Sequence, residues 1–361
     1  MARIKAAVAR EFGKPLVIEE LELAAPRAGE IEVTLGACAI CHSDISYADG
    51  AWGGTLPAVF GHEAAGTITG VGDHVKGFAE GDRVIVTLIR ACGTCPSCAS
   101  GAPVTCETGF DTYEGGPLKT ADGAPVMQAM NSGAFAEKVV VDQSQIVKIG
   151  EGISLEAASL IACGVITGVG AVVNAAGLRA GQDVVVIGAG GVGLNAIQGA
   201  RIAGARRIVA VDMSAEKLAI AREFGATDGV LATDEKPWRK AIAAMGRGAD
   251  AVIVTVGAIP AYDQAPRYLA GGGKVIMVGM PHSGAMSSYE PVMIAATGQG
   301  MVGSKMGDVV IQRDIPWMVD LYEQGRLKLD ELISGRWSLE QINEAIADTK
   351  TGSAKRNVIV F

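Results

Sequence analysis

The sequence predicts an α/β protein of two domains, an irregular β-barrel followed by a doubly wound parallel sheet. Three observations carry that prediction. At 361 residues the chain is longer than one hydrophobic core usually organises. Its first ninety or so residues are short alternating apolar segments broken by turn residues. From residue 183 onward, apolar strands alternate with helical stretches, the pattern of βα units.

In the first domain, Ala6-Ala7-Val8-Ala9 and Leu16-Val17-Ile18 flank a Gly13-Lys14-Pro15 turn. Ile31 to Leu35 alternates with period two, as a half-buried strand does, and Ala64 to Val71 and Asp82 to Leu88 continue the theme. Residues 107–133 read as a Gly-, Asp- and Pro-rich loop in which Glu107, Asp111, Glu114 and Asp122 outnumber the single base Lys119. Phe135 to Val141 returns to strand texture. Ile153 to Ala162 reads as a helix that Cys163-Gly164 ends.

The second domain opens near residue 165. Asp183 to Ile187 is a continuous apolar strand, as a sheet covered on both faces requires. Gly188, Gly190, Gly191, Val192 and Gly193 follow in a G-x-G-x-x-G turn opening a helix, and Arg207 to Val211 supplies a second strand that ends at Asp212. Alone the motif is weak; between strand and helix, with an acid nineteen residues on, it is strong. Its glycines let a pyrophosphate approach the helix N-terminus, and Asp212 can bond the hydroxyls of an adenosine ribose. Helices at 215–224, 237–245 and 261–269 alternate with strands at 229–232, 251–256 and 274–278. Beyond about 304, helices near 315–324 and 339–347 precede a terminal strand, 357–361, expected to rejoin the first domain. The boundaries so read are 1–164, 165–304 and 305–361.

Hydrophobic residues make up 49% and charged residues 19%, the balance of a well-buried globular chain. A net charge of −8, from 31 basic and 39 acidic residues, argues against nucleic acid or an anionic membrane as partner. The N-terminus has no apolar signal core, and no apolar run is read as membrane-spanning. A cytoplasmic location is expected, with the seven cysteines as thiols or metal ligands rather than disulfides.

Two cysteine groups stand out. Cys92, Cys95, Cys98 and Cys106 lie at spacings of three, three and eight in a lobe at about 90–107. Four thiolates saturate a tetrahedral zinc and leave no open position, so this site is structural. An iron–sulfur cluster would need a shorter last interval and a differently placed proline; a nucleic-acid zinc ribbon would need more basic residues. The second group is Cys41, His62 and Cys163. Singly these would read as a buried thiol or a core imidazole. Together with Glu63 beside His62 and the Ser43 hydroxyl two residues from Cys41, they offer two sulfurs and one nitrogen, which leaves a tetrahedral zinc one open position. Cys38-Ala39-Ile40-Cys41-His42 also fits the haem-attachment pattern, but that chemistry belongs to exported proteins, and Cys38 reads as a core residue.

On these residues the chain resembles, over nearly its whole length, the zinc-dependent alcohol dehydrogenases of the medium-chain dehydrogenase/reductase superfamily. The likeness rests on Gly61-His62-Glu63-Ala64-Ala65-Gly66, the four-cysteine lobe, the glycine turn with Asp212, and the ending from Ile333-Ser334-Gly335-Arg336 to Phe361. It implies a GroES-like barrel plus a Rossmann domain, in a homodimer or homotetramer. It further implies two zinc ions per chain, the catalytic one on Cys41, His62 and Cys163, and NAD as coenzyme. Asp44 would support His62, Glu63 would be the nearby carboxylate, and Ser43 would take the proton of the alcohol. His42, Lys217 and Arg356 match coenzyme contacts, while Trp52 and Met280 match the substrate pocket. The implied reaction is reversible hydride transfer between an alcohol and NAD, giving an aldehyde or ketone. Two features depart from the pattern. Ser46 stands where relatives end their proton relay in histidine, and the loop before Phe135 is shorter than in some classes. A glutathione-dependent formaldehyde dehydrogenase is the nearest alternative, disfavoured by the acidic loop; a zinc- and nucleotide-binding protein without turnover is the alternative of another class.

Overall fold

The computed structural model describes residues 2–361, which divide into two units: residues up to 163 together with 310–361, and residues 164–309. The first unit begins with β1 (Ala2–Ala9), β2 (Val17–Leu23) and β3 (Glu30–Ala39), the first two joined across the Gly13-Lys14-Pro15 turn read from the sequence. A short helix follows, α1 (His42–Ala48), then β4 (Ala58–Val59), β5 (Glu63–Val71) and β6 (Arg83–Val86). The segment read as loop carries β7 (Leu118–Lys119) and β8 (Met127–Gln128), and β9 (Lys138–Asp142) and β10 (Ile146–Lys148) close this part.

Next comes α2, which runs unbroken from Leu155 to Ala175. The second unit then alternates β11 (Asp183–Ile187), α3 (Gly191–Ile202), β12 (Arg207–Asp212), α4 (Ala215–Phe224), β13 (Asp228–Leu231), α5 (Pro237–Met245), β14 (Ala249–Val254), α6 (Ile259–Gln264), β15 (Leu269–Met277), α7 (Pro291–Thr297) and β16 (Gly300–Gly303). The chain ends in α8 (Ile311–Glu323), β17 (Ile333–Trp337), α9 (Ile342–Lys350) and β18 (Arg356–Val360).

The first unit is built on two sheets. One has the order β7-β2-β1-β4-β8; the other has β10-β6-β5-β3-β18-β17, with β9 also paired to β3. The terminal strand does rejoin the first domain: β18 runs antiparallel to β3, with Val358 opposite Ala39 and Val360 opposite Ala37. β1, β3 and β5 contribute to one core, where Val8, Ile31, Val33, Ile68, Phe135 and Ile359 are buried.

The second unit is a six-stranded sheet in the order β13-β12-β11-β14-β15-β16, parallel throughout. The strand order reverses at β11/β14, the topological switch point where such sheets receive ligands beyond their carboxyl ends. Every residue of β11 is buried, as the unbroken apolar run requires.

Three expectations need correction. Cys163-Gly164 does not end a helix, because Cys163 lies in a widened π turn, Ile161–Val165, inside α2. Glycine there reads as a stop, but α2 needs small residues: a Cβ on Gly168 would stand 2.4 Å from the Val192 carbonyl of α3, and one on Gly170 2.4 Å from the Gly307 carbonyl. This same 21-residue helix, with mean hydropathy 1.8, is long and apolar enough to cross a membrane, contrary to the reading that no such run exists; 89% of its most apolar window is buried in the protein. Lastly, α1 interrupts what reads as strands and turns alone, and α7, β16 and β17 add elements that periodicity did not mark.

Candidate metal and coenzyme sites

β3 ends at Ala39, and Cys41 caps α1 with extended backbone. Two residues of that first turn define a site. Asp44, buried, accepts from the Cys41 N–H at 3.0 Å, from the Gly61 N–H at 2.9 Å and from His62 Nδ1 at 2.9 Å. Its carboxylate thus fixes the imidazole so that Nε2 is the free nitrogen. Gly61 has to be glycine: its φ is +90°, and a Cβ would meet the Phe135 nitrogen at 2.5 Å. Ser43 Oγ lies 3.1 Å from Cys41 Sγ and 3.4 Å from His62 Nε2.

Cys163 comes to the same place from α2. One ligand atom from each of Cys41, His62, Glu63 and Cys163 lies within 4.8 Å of the others, and all four residues are buried. Glu63 opens β5 and faces Arg356, which opens β18; Nη1 and Oε1 are 3.2 Å apart. Neither oxygen of Glu63 has a hydrogen-bond donor aligned on it. Burial pushes the Glu63 carboxyl up to about 8 against the pull of Arg356. Cys41 is held well below the ordinary thiol range by the hydrogen bond it shares with Cys163 and by His62, and the same bond pushes Cys163 up. Burial opposes the His62 cation, but Asp44 and Cys41 outweigh it and hold the imidazole well above its ordinary value. A buried carboxylate with no aligned hydrogen bond and two thiols contesting one proton are what a bound dication would resolve. Two sulfurs and one imidazole suit zinc. The residues fit that ion. Cys38, buried in the core, takes no part.

Cys92, Cys95, Cys98 and Cys106 form the only other such group among the described residues. Their sulfurs accept backbone N–H groups: Cys95 N–H to Cys92 Sγ at 3.3 Å, Cys92 N–H to Cys106 Sγ at 3.4 Å, Cys98 N–H to Cys95 Sγ at 3.5 Å. The Thr108 hydroxyl, helped by backbone N–H groups, holds the Cys92 thiol down at about 5. This donor pattern supports thiolates, and with all four positions filled by sulfur it also fits zinc.

In the second unit, Gly188 turns with φ +98°, and a Cβ on Gly193 would stand 1.8 Å from the Gly188 carbonyl. Gly190 caps α3 without any side-chain hydrogen bond, and nothing lies within 4 Å of where its Cβ would be. Gly191 and Val192 begin the helix. Its first N–H groups are therefore free to meet an anion. Asp212, at the end of β12, accepts from the Ala189 N–H at 2.8 Å and the Ser214 N–H at 3.0 Å. It thus braces the glycine turn, and each oxygen keeps a lone pair for a ribose hydroxyl. Lys217 lies in the first turn of α4, whose cap is Ser214. His42 is exposed at the start of α1, Trp52 is half-buried, and Met280 is exposed on the second unit. Arg356, matched to a coenzyme contact in the sequence, is buried beside Glu63 with Nη1 3.3 Å from the Ile40 carbonyl. Sequence reasoning missed that ion pair. The available signal was a single charge opening each of two otherwise apolar strands.

Two family models match the chain: an alcohol dehydrogenase GroES-like domain over residues 27–151 and a zinc-binding dehydrogenase domain over 191–324. The chain is 37% identical over 366 residues to an NDMA-dependent alcohol dehydrogenase of Amycolatopsis methanolica, covering 99% of each. It is 35% identical over 367 residues to geraniol dehydrogenase of Castellaniella defragrans, covering 99% of this chain and 97% of that one. Among solved structures, an alcohol dehydrogenase zinc-binding domain protein from Burkholderia ambifaria superposes with a TM-score of 0.95 at 34% identity, over 100% of this chain and 99% of that one. Benzyl alcohol dehydrogenase from Acinetobacter calcoaceticus gives 0.93 at 27% identity over 100% of both.

Proposed function

We infer the finer function from a firm premise: the chain belongs to the zinc-dependent alcohol dehydrogenases of the medium-chain dehydrogenase/reductase superfamily, and it oxidises or reduces alcohols and their carbonyl products. Within that activity, NAD is the coenzyme and each chain holds two zinc ions. Cys41, His62 and Cys163 hold the catalytic ion, and the four-cysteine lobe holds the structural one. When bound, the catalytic zinc supplies Lewis acidity that makes the alcohol a stronger acid, and the nicotinamide accepts the hydride.

The remaining work falls to this chain. Ser43 Oγ, 3.1 Å from Cys41 Sγ, is placed to receive the alcohol proton. Asp44 keeps His62 Nδ1 protonated and Nε2 free. Arg356 offsets the negative charge that Glu63 and the thiolates bring together. The open N-terminus of α3 receives the pyrophosphate, and Asp212 receives the ribose hydroxyls. The observation that carries the reading is the buried Cys41–His62–Glu63–Cys163 group with a hydroxyl at its edge. Neither the formaldehyde nor the non-catalytic alternative is favoured, since the relatives are named as alcohol dehydrogenases.

The test of coenzyme choice is kcat/KM with NAD and NADP, with NDMA as a further acceptor because one relative is named for it. Asp212 would face a 2′-phosphate with like charge, and Met213, not a base, follows it. The penalty is several kcal/mol, so NAD is expected to be preferred at least a hundredfold, and equal values would overturn the assignment. Metal analysis should find two zinc ions per chain; one or none in carefully prepared protein would overturn that count. Geraniol and benzyl alcohol belong in the substrate panel because relatives are named for them. A homodimer or homotetramer is part of the same reading, to be checked by light scattering.

A further inference from the structure

One peptide of the glycine turn is held at both edges by side chains from the two neighbouring strands. β11 lies between β12 and β14 in the sheet and runs out into Gly188. The Gly188 N–H donates to the Val211 carbonyl of β12 at 2.8 Å. In the next peptide the Ala189 N–H donates to Asp212 Oδ2 at 2.8 Å. The carbonyl of that same peptide belongs to Gly188 and points the other way, because a planar trans peptide sets C=O and N–H on opposite edges. There it meets the hydroxyl of Thr255, the residue that follows β14.

Thr255 Oγ stands 3.0 Å from the Gly188 carbonyl and 3.0 Å from the Ile187 carbonyl. Ile187 already accepts the Thr255 N–H at 2.9 Å, whereas no backbone N–H among the described residues donates to Gly188. The hydroxyl is thus the donor on which the Gly188 carbonyl depends. Glycine at 188, with φ +98°, leaves this plane easy to turn, so its orientation has to be imposed from outside. A Cβ on Gly188 would stand 2.8 Å from Thr255 Oγ, and one on Gly193 would stand 3.0 Å from it. The hydroxyl therefore reaches the turn at its first glycine and at the point where α3 rests on it.

We propose that Thr255 is a positioning residue for the coenzyme: its hydroxyl and Asp212 together lock the Gly188–Ala189 peptide plane. Resting on the coenzyme reading above, this deepens it. Thr255 acts through the Gly188 carbonyl rather than on the dinucleotide. That carbonyl lies against Gly193 in the first turn of α3, so its direction sets where the anion-binding N–H groups stand. The N–H at the other edge holds the Asp212 carboxylate in place for the ribose. Without the hydroxyl the Gly188 carbonyl loses its donor, and tilting the plane towards water draws the Ala189 N–H off Asp212.

Thr255→Val keeps the branched shape and removes the hydroxyl. It is expected to raise the NADH dissociation constant about three- to tenfold, the worth of one neutral hydrogen bond, and to raise the KM for NAD in step. ADP-ribose carries the pyrophosphate and the ribose without the nicotinamide, so it should lose affinity by the same factor. The KM for the alcohol at saturating NAD should not move, although a general loosening of the protein would move it. Thr255→Ser is expected to restore NADH binding. If Thr255→Val does not fold, Thr255→Ala takes its place in each comparison. An NADH dissociation constant unchanged within about twofold overturns the inference alone. So does a loss that ADP-ribose does not share, an equal rise in the alcohol KM, or a loss repeated in Thr255→Ser. Failure of the wild type to bind NADH overturns the coenzyme reading itself.

Discussion

Cys163→Ser is expected to abolish alcohol turnover, lower the zinc content by one ion per chain and leave the fold intact. The serine hydroxyl is a far weaker zinc ligand than a thiolate, and Cys163 is one of only two sulfur donors in the group. Losing Lewis-acid assistance costs several kcal/mol, roughly a thousandfold or more in rate. The substitution is nearly isosteric, and α2 is held along its length by other buried residues, among them Leu160, Ile161, Val165, Ile166 and Val169. Cys95→Ser is expected to behave in the opposite way. It should also lose one ion, but with a marked drop in thermal stability, since the folding of the lobe is coupled to its metal. Metal content and melting temperature, measured with turnover, separate the two roles. Cys163→Ser retaining full activity and the wild-type metal content would remove Cys163 from the centre.

Ser43→Ala is expected to slow the hydride-transfer step by about 10²–10⁴, the range of lost acid–base assistance. Its hydroxyl is the one placed against both Cys41 Sγ and His62 Nε2. Ser46→Ala is expected to do little. Ser46 can pass a proton along a hydrogen-bond chain but cannot store one near neutrality, so the relay should exit straight into water. Ser46→His should add a titration between about pH 6 and 7.5 to hydride transfer. Single-turnover measurements across pH decide the matter, and equal damage from Ser43→Ala and Ser46→Ala would make Ser46 an essential link.

What the sequence revealed follows the range of the interactions. The glycine turn and Asp212 were legible because strand, turn, helix and second strand are contiguous, and each glycine answers a local steric demand, as Gly193 does against the Gly188 carbonyl. The four-cysteine lobe was legible from spacing within fifteen residues. Cys163 was recognisable as a ligand type, but its π turn was not: Gly164 looks like a stop until packing between α2 and its neighbours is known. The Glu63–Arg356 pair joins residues 293 positions apart through strands paired to a common β3, which no periodicity encodes. Edge strands such as β16 and β17, four and five residues long, carry too few residues for a pattern, and a register shift at Ile333/Gly335 breaks what pattern β17 has.

The three bonds accepted by Asp44 also bear on how the metal exchanges. They join the cap of α1 to the turn at Gly61 and His62, so two of the ligand-bearing segments are registered by protein–protein contacts alone. Ordering those segments is accomplished when the barrel folds, and charge-assisted bonds of about 1.5–3 kcal/mol each maintain it. Ion capture there is a docking event into a standing template, with little conformational entropy to oppose it. In the four-cysteine lobe, by contrast, the N–H···S contacts all lie within residues 92–107, so an ion bound there would supply order that these contacts do not. The two centres should therefore differ in kind: one reloads like a receptor, and the other reforms like a small folding reaction.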